Sequence, residues 1–515
     1  MSAQAVLFGG VRHRFRAIDA MAGAGLLALG LVLVGGTAIG AGLWYAAVPH
    51  VGGTVTASEV LLIVAMLLGI AAAFCGWFTY GTYFARRSGI EVRTALRWDA
   101  LSWAALAVSG AGLVMPVAYG GPTRAVAFAI GLFALVKLLV AARFVHTVGD
   151  VLVTFVVTRI PIIVIAELAS VTIAQRPGRH VAESSNALLA VWGHWDSVHY
   201  LDIARRGYAG TDMAFFPLYP ALIRLVGNGV GNDLIAGLII SNVALFFGLL
   251  FFYKLIEHQF TRAVAHRAIF YISIFPTAVF FSAVYTESLF FALTVASFYY
   301  IREHRWATAG IVGTFAALTR SEGVLLVVPF AIEVFSAIRA SSLAQVFGSP
   351  KRLARIALGA VAIPLGLAAY MAWLWVLNGD PLYFSHVQSH WNRHLSPPWV
   401  SAEHAFRIIA HAKTPLVVTN QSIEIVFTIL MIAVLAAGLR RMRPSYSAYM
   451  ALSIVIPMST SSLMSMPRFA LVLFPMFALL AVWGGRTWVN SAIVAFSLPL
   501  LGLFTVLFAD WYWVA

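Results

Sequence analysis

Between Trp192 and Pro220 the chain reads WGHWDSVHYLDIARRGYAGTDMAFFPLYP, the longest stretch where acids, bases and aromatics crowd together in a very apolar sequence. Asp196, Asp202, Asp212, His194, His199, Arg205 and Arg206 all fall there, between segments that read as membrane-spanning. Polar groups next to hydrocarbon are costly, so their default reading is functional. Asp196 opens a short predicted helix, Ser197 to Arg206, which Gly207 stops. It carries two readings. An Asp at a helix start can cap backbone N–H groups. Alternatively it is a general base facing an enclosed cavity, because a carboxylate that takes the proton of an attacking hydroxyl makes that hydroxyl far more reactive. His199, three residues on, shares its helix face. It can orient the carboxylate, bind a phosphate, or simply pack. Asp202 is placed to pair with Arg205 or Arg206.

Three further groups lie downstream. Arg320 and Arg468 stand at the ends of predicted spans, where a guanidinium pairs with an acid, binds an anion through its planar fork, or snorkels to the interface. Glu322 is close enough in sequence to neutralise Arg320. Glu287 sits at a predicted hairpin tip, as a site residue or a solvated turn. The run QSHWNRH, Gln388 to His394, sets amide and imidazole groups beside the Trp391 ring, a combination that suits a sugar and that an ordinary polar loop also shows. Its histidines lack an HExxH-like pairing that would fix a metal. No Gly-rich phosphate loop and no Ser–His–Asp signature is present.

The elements that must hold these residues are membrane helices. The chain has 515 residues, 61% of them hydrophobic and only 10% charged. Apolar segments of about 20 residues, each long enough to cross a bilayer, recur throughout, giving about 13–15 spans. The first, about 18–48, is too long for a signal-peptide core. The net charge of +14 does not indicate nucleic acid, because most basic residues lie in short loops where they orient a membrane protein. By that rule every mixed acid–base–aromatic cluster falls outside the cytoplasm. The predicted order is 18–48, 58–84, 99–119 and 124–146, then 150–174, 233–253, a tight hairpin 268–283 and 286–301, then 307–319, 324–338, 356–377, 421–438, 446–460, 470–485 and 488–508. Residues 1–148 hold no such cluster and read as a four-helix membrane addition. Residues 149–515 read as the core, with outer loops 175–232 and 378–420. The lone Cys75 falls inside a predicted span, so disulfides and thiolate metal sites are excluded.

These motifs resemble the PIG-V family, the second mannosyltransferase of GPI-anchor synthesis and its bacterial relatives. The resemblance rests on Trp195-Asp196 with His199, Ile203-Ala204 and Gly207-Tyr208, followed by Ala214 to Pro220. It continues, in the family's order, through Phe275-Pro276, Tyr285-Thr286-Glu287-Ser288, Thr319-Arg320-Ser321-Glu322-Gly323, Gln388 with Trp391-Asn392, and Pro467-Arg468-Phe469 with Pro475. It covers about residues 150–485. It implies an all-α polytopic membrane protein with a GT-C-type helical bundle, in which the catalytic carboxylate follows the first core span, the place of Asp196. The implied activity is inverting transfer of mannose or a similar hexose from a polyprenyl phosphate to a glycolipid or glycan acceptor at the outer face. Asp196 is then the base. His199, Arg205, Tyr219, Glu287, Arg320, Glu322, Gln388, His390, Trp391, Asn392 and Arg468 form the substrate-binding set. The scheme requires no cofactor, and a divalent metal is compatible with it. Richness in Ala, Gly and Arg suggests a bacterium, hence a multi-pass protein of its plasma membrane. The chain departs from the eukaryotic pattern in the residues before its core and in Glu322, where Asn is usual. Two rivals remain: a transporter or flippase of lipid-linked sugars, for which one would expect repeats around a midplane site, and an oligosaccharide ligase of the same fold.

Overall fold

The computed structural model describes residues 91–100, 122–176, 183–184, 186–340 and 348–514. The spans expected over 18–48 and 58–84, most of that over 99–119, and Cys75 lie outside the described residues. The chain divides into two compact units, Met1–Gly149 and Asp150–Ala515. In the first, the helix Pro122–Phe144 pairs Lys137 with the buried Asp99 and sets Arg143 over the Trp98 ring.

Among the described residues there is no strand, and the expected all-α membrane class holds. Six helical segments there are long and apolar enough to cross a bilayer: His146–Thr172, Asp233–Gln259, Ser321–Ala340, Pro350–Asn378, Pro415–Gly438 and Thr487–Ala509. Their starts follow local chemistry. Asn232 accepts the Ile235 N–H at 3.0 Å to open the second. Pro350 and Pro415 stand in the first turns of later ones, where their missing N–H is no loss. Gly379, at φ 75°, ends Pro350–Asn378 in the left-handed conformation. The helices Trp306–Thr319 and Pro350–Asn378 touch backbone to backbone: a Cβ on Gly310 would lie 2.3 Å from Gly359 Cα. Small residues permit that approach.

The predicted hairpin of 268–283 and 286–301 differs from the structure. The helix Arg262–Ser273 ends early, a 3-10 turn covers Ala278–Phe281, and a fully helical course resumes at Glu287–Arg302. Backbone that leaves the helix inside a bundle needs partners. Arg159, 2% exposed, provides them, donating from Nη1 to the Ala278 carbonyl at 2.8 Å and from Nη2 to the Ser273 carbonyl. Both expected outer loops also contain short helices. The first carries Ser197–Arg206 and Leu218–Val230, the second Pro398–Ala410. The broken, buried segment 274–286 brings Tyr285 to Asp196 and leads into the helix that starts at Glu287.

Candidate active site

Asp196 precedes the helix Ser197–Arg206 with a right-handed backbone, and its side chain caps no N–H. That removes the capping reading. The preceding Trp195 adopts φ 60°, a left-handed conformation that costs a non-glycine residue about 1–2 kcal/mol. Tyr285 holds the bend: its hydroxyl accepts the Asp196 N–H at 3.1 Å and donates to the His194 carbonyl at 3.4 Å. Burial, then the Asp196 charge, push the Tyr285 pKa well above its usual value, so this hydroxyl stays a donor. The turn aims the carboxylate at Arg468, whose Nη1 donates to Asp196 Oδ2 at 2.7 Å.

Arg468 lies in the short helix Met466–Leu471 and is 6% exposed. Its Nε and Nη2 both donate to Glu287 Oε1, at 3.0 and 2.8 Å, and Arg320 Nη1 donates to the same oxygen at 3.0 Å. Arg320 Nη2 also lies 3.5 Å from Glu322. Glu287 is fully buried at the start of its helix, an end that favours a carboxylate. The solvated-turn reading of Glu287 therefore fails. Burial alone would weaken the charge on Arg468, but Glu287 and Asp196 outweigh it and raise its pKa well above the ordinary value. The guanidinium is a fixed cation.

The cluster is not saturated. A guanidinium has five N–H donors, and Arg468 spends three of them within the protein. Two are left without an acceptor among the described residues, and Glu287 Oε2 is buried there without a hydrogen-bond partner. The three carboxylates and two guanidinium groups sum to −1. Arg393 is close enough to act on the charges of Arg468, Asp196 and Glu322, which brings the sum to zero. An anion entering here is drawn by free N–H groups rather than by net charge. Among the described residues no three His, Cys, Asp or Glu side chains gather as a metal-ligand set.

Aromatic rings wall the cluster. Arg468 lies over the rings of Tyr285 and Phe280, 4.8 and 5.0 Å from their centroids, and 5.9 Å from that of Trp513. Trp195 packs on Trp511 and Trp513, and His194 stacks on Trp511 at 4.0 Å. The indole N–H groups of Trp195 and Trp513 are buried without partners among the described residues. Sequence reasoning missed these terminal tryptophans, because the run ADWYWV reads as the ordinary end of a span.

The remaining predicted residues divide. Trp391 reaches the first loop, 6.4 Å from the His199 ring and 6.2 Å from Phe215. His199 is fixed by Asp212, 2.9 Å from its Nδ1, and by stacking on Phe215. It orients no carboxylate at Asp196. Gln388 accepts from Arg393 at 3.5 Å. Exposed Asn392 takes φ 55°, which Asn tolerates. His390 lines an open cavity of about 360 Å³ with Thr211, Tyr383, His386, Val387 and Ser389; Asp196, Glu287 and Arg468 do not line it. Arg205 is elsewhere: it pairs with Glu183 at 2.5 Å and Asp233 at 3.2 Å, not with Asp202. Tyr219 is fully buried and donates to the Gly237 carbonyl at 3.2 Å. It also shares a 2.7 Å hydrogen bond with Ser241, which holds the Tyr285 carbonyl at 3.3 Å. Its place is two hydrogen bonds behind the site.

Residues 133–370 match the family described as Mannosyltransferase (PIG-V), a stretch that includes Asp196, Glu287, Arg320 and Glu322 and ends before Arg468. No curated protein matches the chain.

Proposed function

Residues 133–370 match the mannosyltransferase (PIG-V) family, and from that premise we propose that this multi-pass membrane protein is a GT-C-type enzyme. It transfers mannose or a similar hexose, with inversion, from a polyprenyl phosphate to a lipid-linked or cell-envelope glycan on the extracytoplasmic face. The observation that carries the proposal is the pairing of Asp196 with a buried Arg468 that keeps two N–H donors unspent. In the transfer, the acceptor oxygen forms its bond to the anomeric carbon as the carbon–oxygen bond to phosphate breaks. The bonding pair leaves with the polyprenyl phosphate. The acceptor proton passes to Asp196 through Oδ1, since Oδ2 holds Arg468. Attack from the face opposite the leaving group parallels inverting glycosidases. The departing phosphate is largely ionised near neutral pH, its second pKa being about 6, so no acid is needed. Arg468, with Arg320 behind it, stabilises the charge that develops. Indole N–H groups at Trp195 and Trp513 suit hydroxyls of the sugar, and the polar cavity beside His390 suits an acceptor glycan. The outer placement is supported by the basic residues of the opposite loops.

The test is transfer of labelled mannose from polyprenyl phosphate mannose by membranes carrying wild type or Asp196→Asn. Loss of the base lowers the rate roughly 10²–10⁴-fold. Transfer at full rate by Asp196→Asn removes Asp196 from that role. Flipping of the lipid-linked sugar with no transfer by wild type would establish the transporter instead.

A further inference from the structure

Glu424 is a carboxylate in the middle of a spanning helix, Pro415–Gly438, and is 4% exposed. Acids at such positions are costly and need a purpose. Its two oxygens accept backbone N–H groups: Oε1 from Ser465 at 2.9 Å and Oε2 from Met466 at 2.8 Å. These amides open the short helix that carries Arg468, and the Met466 N–H also reaches the Leu463 carbonyl at 3.1 Å. Ser465 is held at φ 75°, a left-handed conformation that persists only where the surroundings impose it. Two more side chains hold the same backbone. Arg393 Nη2 donates to the Met464 carbonyl at 2.9 Å, and Thr277 Oγ1 donates to the Pro467 carbonyl at 3.0 Å. Four consecutive residues, Met464 to Pro467, are thus gripped from three distant segments immediately before Arg468. The charges of Arg393 and Arg468 both act on Glu424.

We propose that Glu424 is a positioning residue for the transfer: by gripping the Ser465 and Met466 amides it fixes the backbone that aims Arg468 at Asp196 and at the leaving phosphate. The inference rests on the functional reading above only for its kinetic consequence. The grip itself is independent of the reaction. Glutamine is nearly isosteric but can accept only one of the two N–H groups, and its own amide hydrogens then face the other.

The experiment compares wild type, Glu424→Gln, Arg468→Lys and the double variant, all full length in nanodiscs. Hydrogen exchange is followed in peptides spanning 464–471, and kcat and KM are measured with polyprenyl phosphate mannose. The expected result is faster exchange of the Ser465 and Met466 amides in Glu424→Gln. Its kcat falls roughly 10–100-fold with a smaller change in KM, and the same substitution costs less than about 2-fold once Arg468 is already Lys, since a residue acting through another loses its effect when that other is changed. An equal loss in both backgrounds, or wild-type kcat with only a lower thermal midpoint, overturns the positioning role. If wild type transfers nothing from this donor, the functional reading fails by itself, and unchanged exchange at 464–471 then overturns the grip.

Discussion

Replacing Glu287 by Gln tests the centre of the site with almost no change in shape. Oε1 of Glu287 takes three guanidinium N–H groups, from Arg468 at 3.0 and 2.8 Å and from Arg320 at 3.0 Å. An amide oxygen can still accept them but supplies no charge. Removing one partner of a buried ion pair costs about 3–5 kcal/mol. Two features of the structure reduce that figure: Arg468 keeps Asp196, and Arg320 keeps Glu322 within 3.5 Å. About 2–3 kcal/mol therefore remains, by the same measure. If all of it fell on the transition state, the rate would drop roughly 10²-fold, each tenfold being about 1.4 kcal/mol. The assay pairs the thermal midpoint of the reconstituted protein with its rate of mannose transfer, and uses Glu322→Gln as the internal comparison. Glu322 faces one guanidinium at 3.5 Å and has a second partner in Ser321, so its replacement should do less harm on both readouts. A Glu287→Gln protein that matches wild type in midpoint and rate refutes the shared role of Oε1. So does a ranking in which Glu322→Gln is the worse of the two.

Two other expectations concern stability. Arg159→Met keeps an apolar stem but leaves the Ser273 and Ala278 carbonyls buried without their donor, at about 1–3 kcal/mol each; the thermal midpoint should fall while the KM for donor stays at the wild-type value, and a changed KM with an unchanged midpoint would contradict the role. Asp510 is 1% exposed, its two carboxyl oxygens have no hydrogen-bond partner among the described residues, and burial pushes its pKa from 3.8 up to about 6. The folded protein holds this proton where the unfolded chain has already released it, so stability is lost as pH rises from about 4 through 6 and stays lower above. Asp510→Asn should therefore raise the midpoint at pH 7.5, by a contribution on the order of 2–3 kcal/mol, and leave it unchanged at pH 4. An equal gain at both pH values would show that the carboxyl charge is not responsible.

The membrane class and most helix positions were legible locally. Span length, apolar content, Pro350 and Pro415 at helix starts and Gly379 at a helix end are properties of neighbouring residues, and the helices follow them. The cluster around Asp196 stood out for the same reason: acids and bases are conspicuous against 61% hydrophobic residues. Local reasoning failed where partners are far apart. It offered Asp202 to Arg205 or Arg206 and His199 to the Asp196 carboxylate, whereas Arg205 turns to Glu183 and Asp233 and His199 to Asp212. Only the tertiary structure could join Asp196 to Arg468 across 272 positions, set one Glu287 oxygen between two arginines, or bring Glu424 to the amides of residues 465 and 466. Helical spacing reports which side chains share a face of one helix. Which faces meet depends on the packing of helices from the whole core, and an ion pair buried there carries no trace of its partner in the neighbouring sequence.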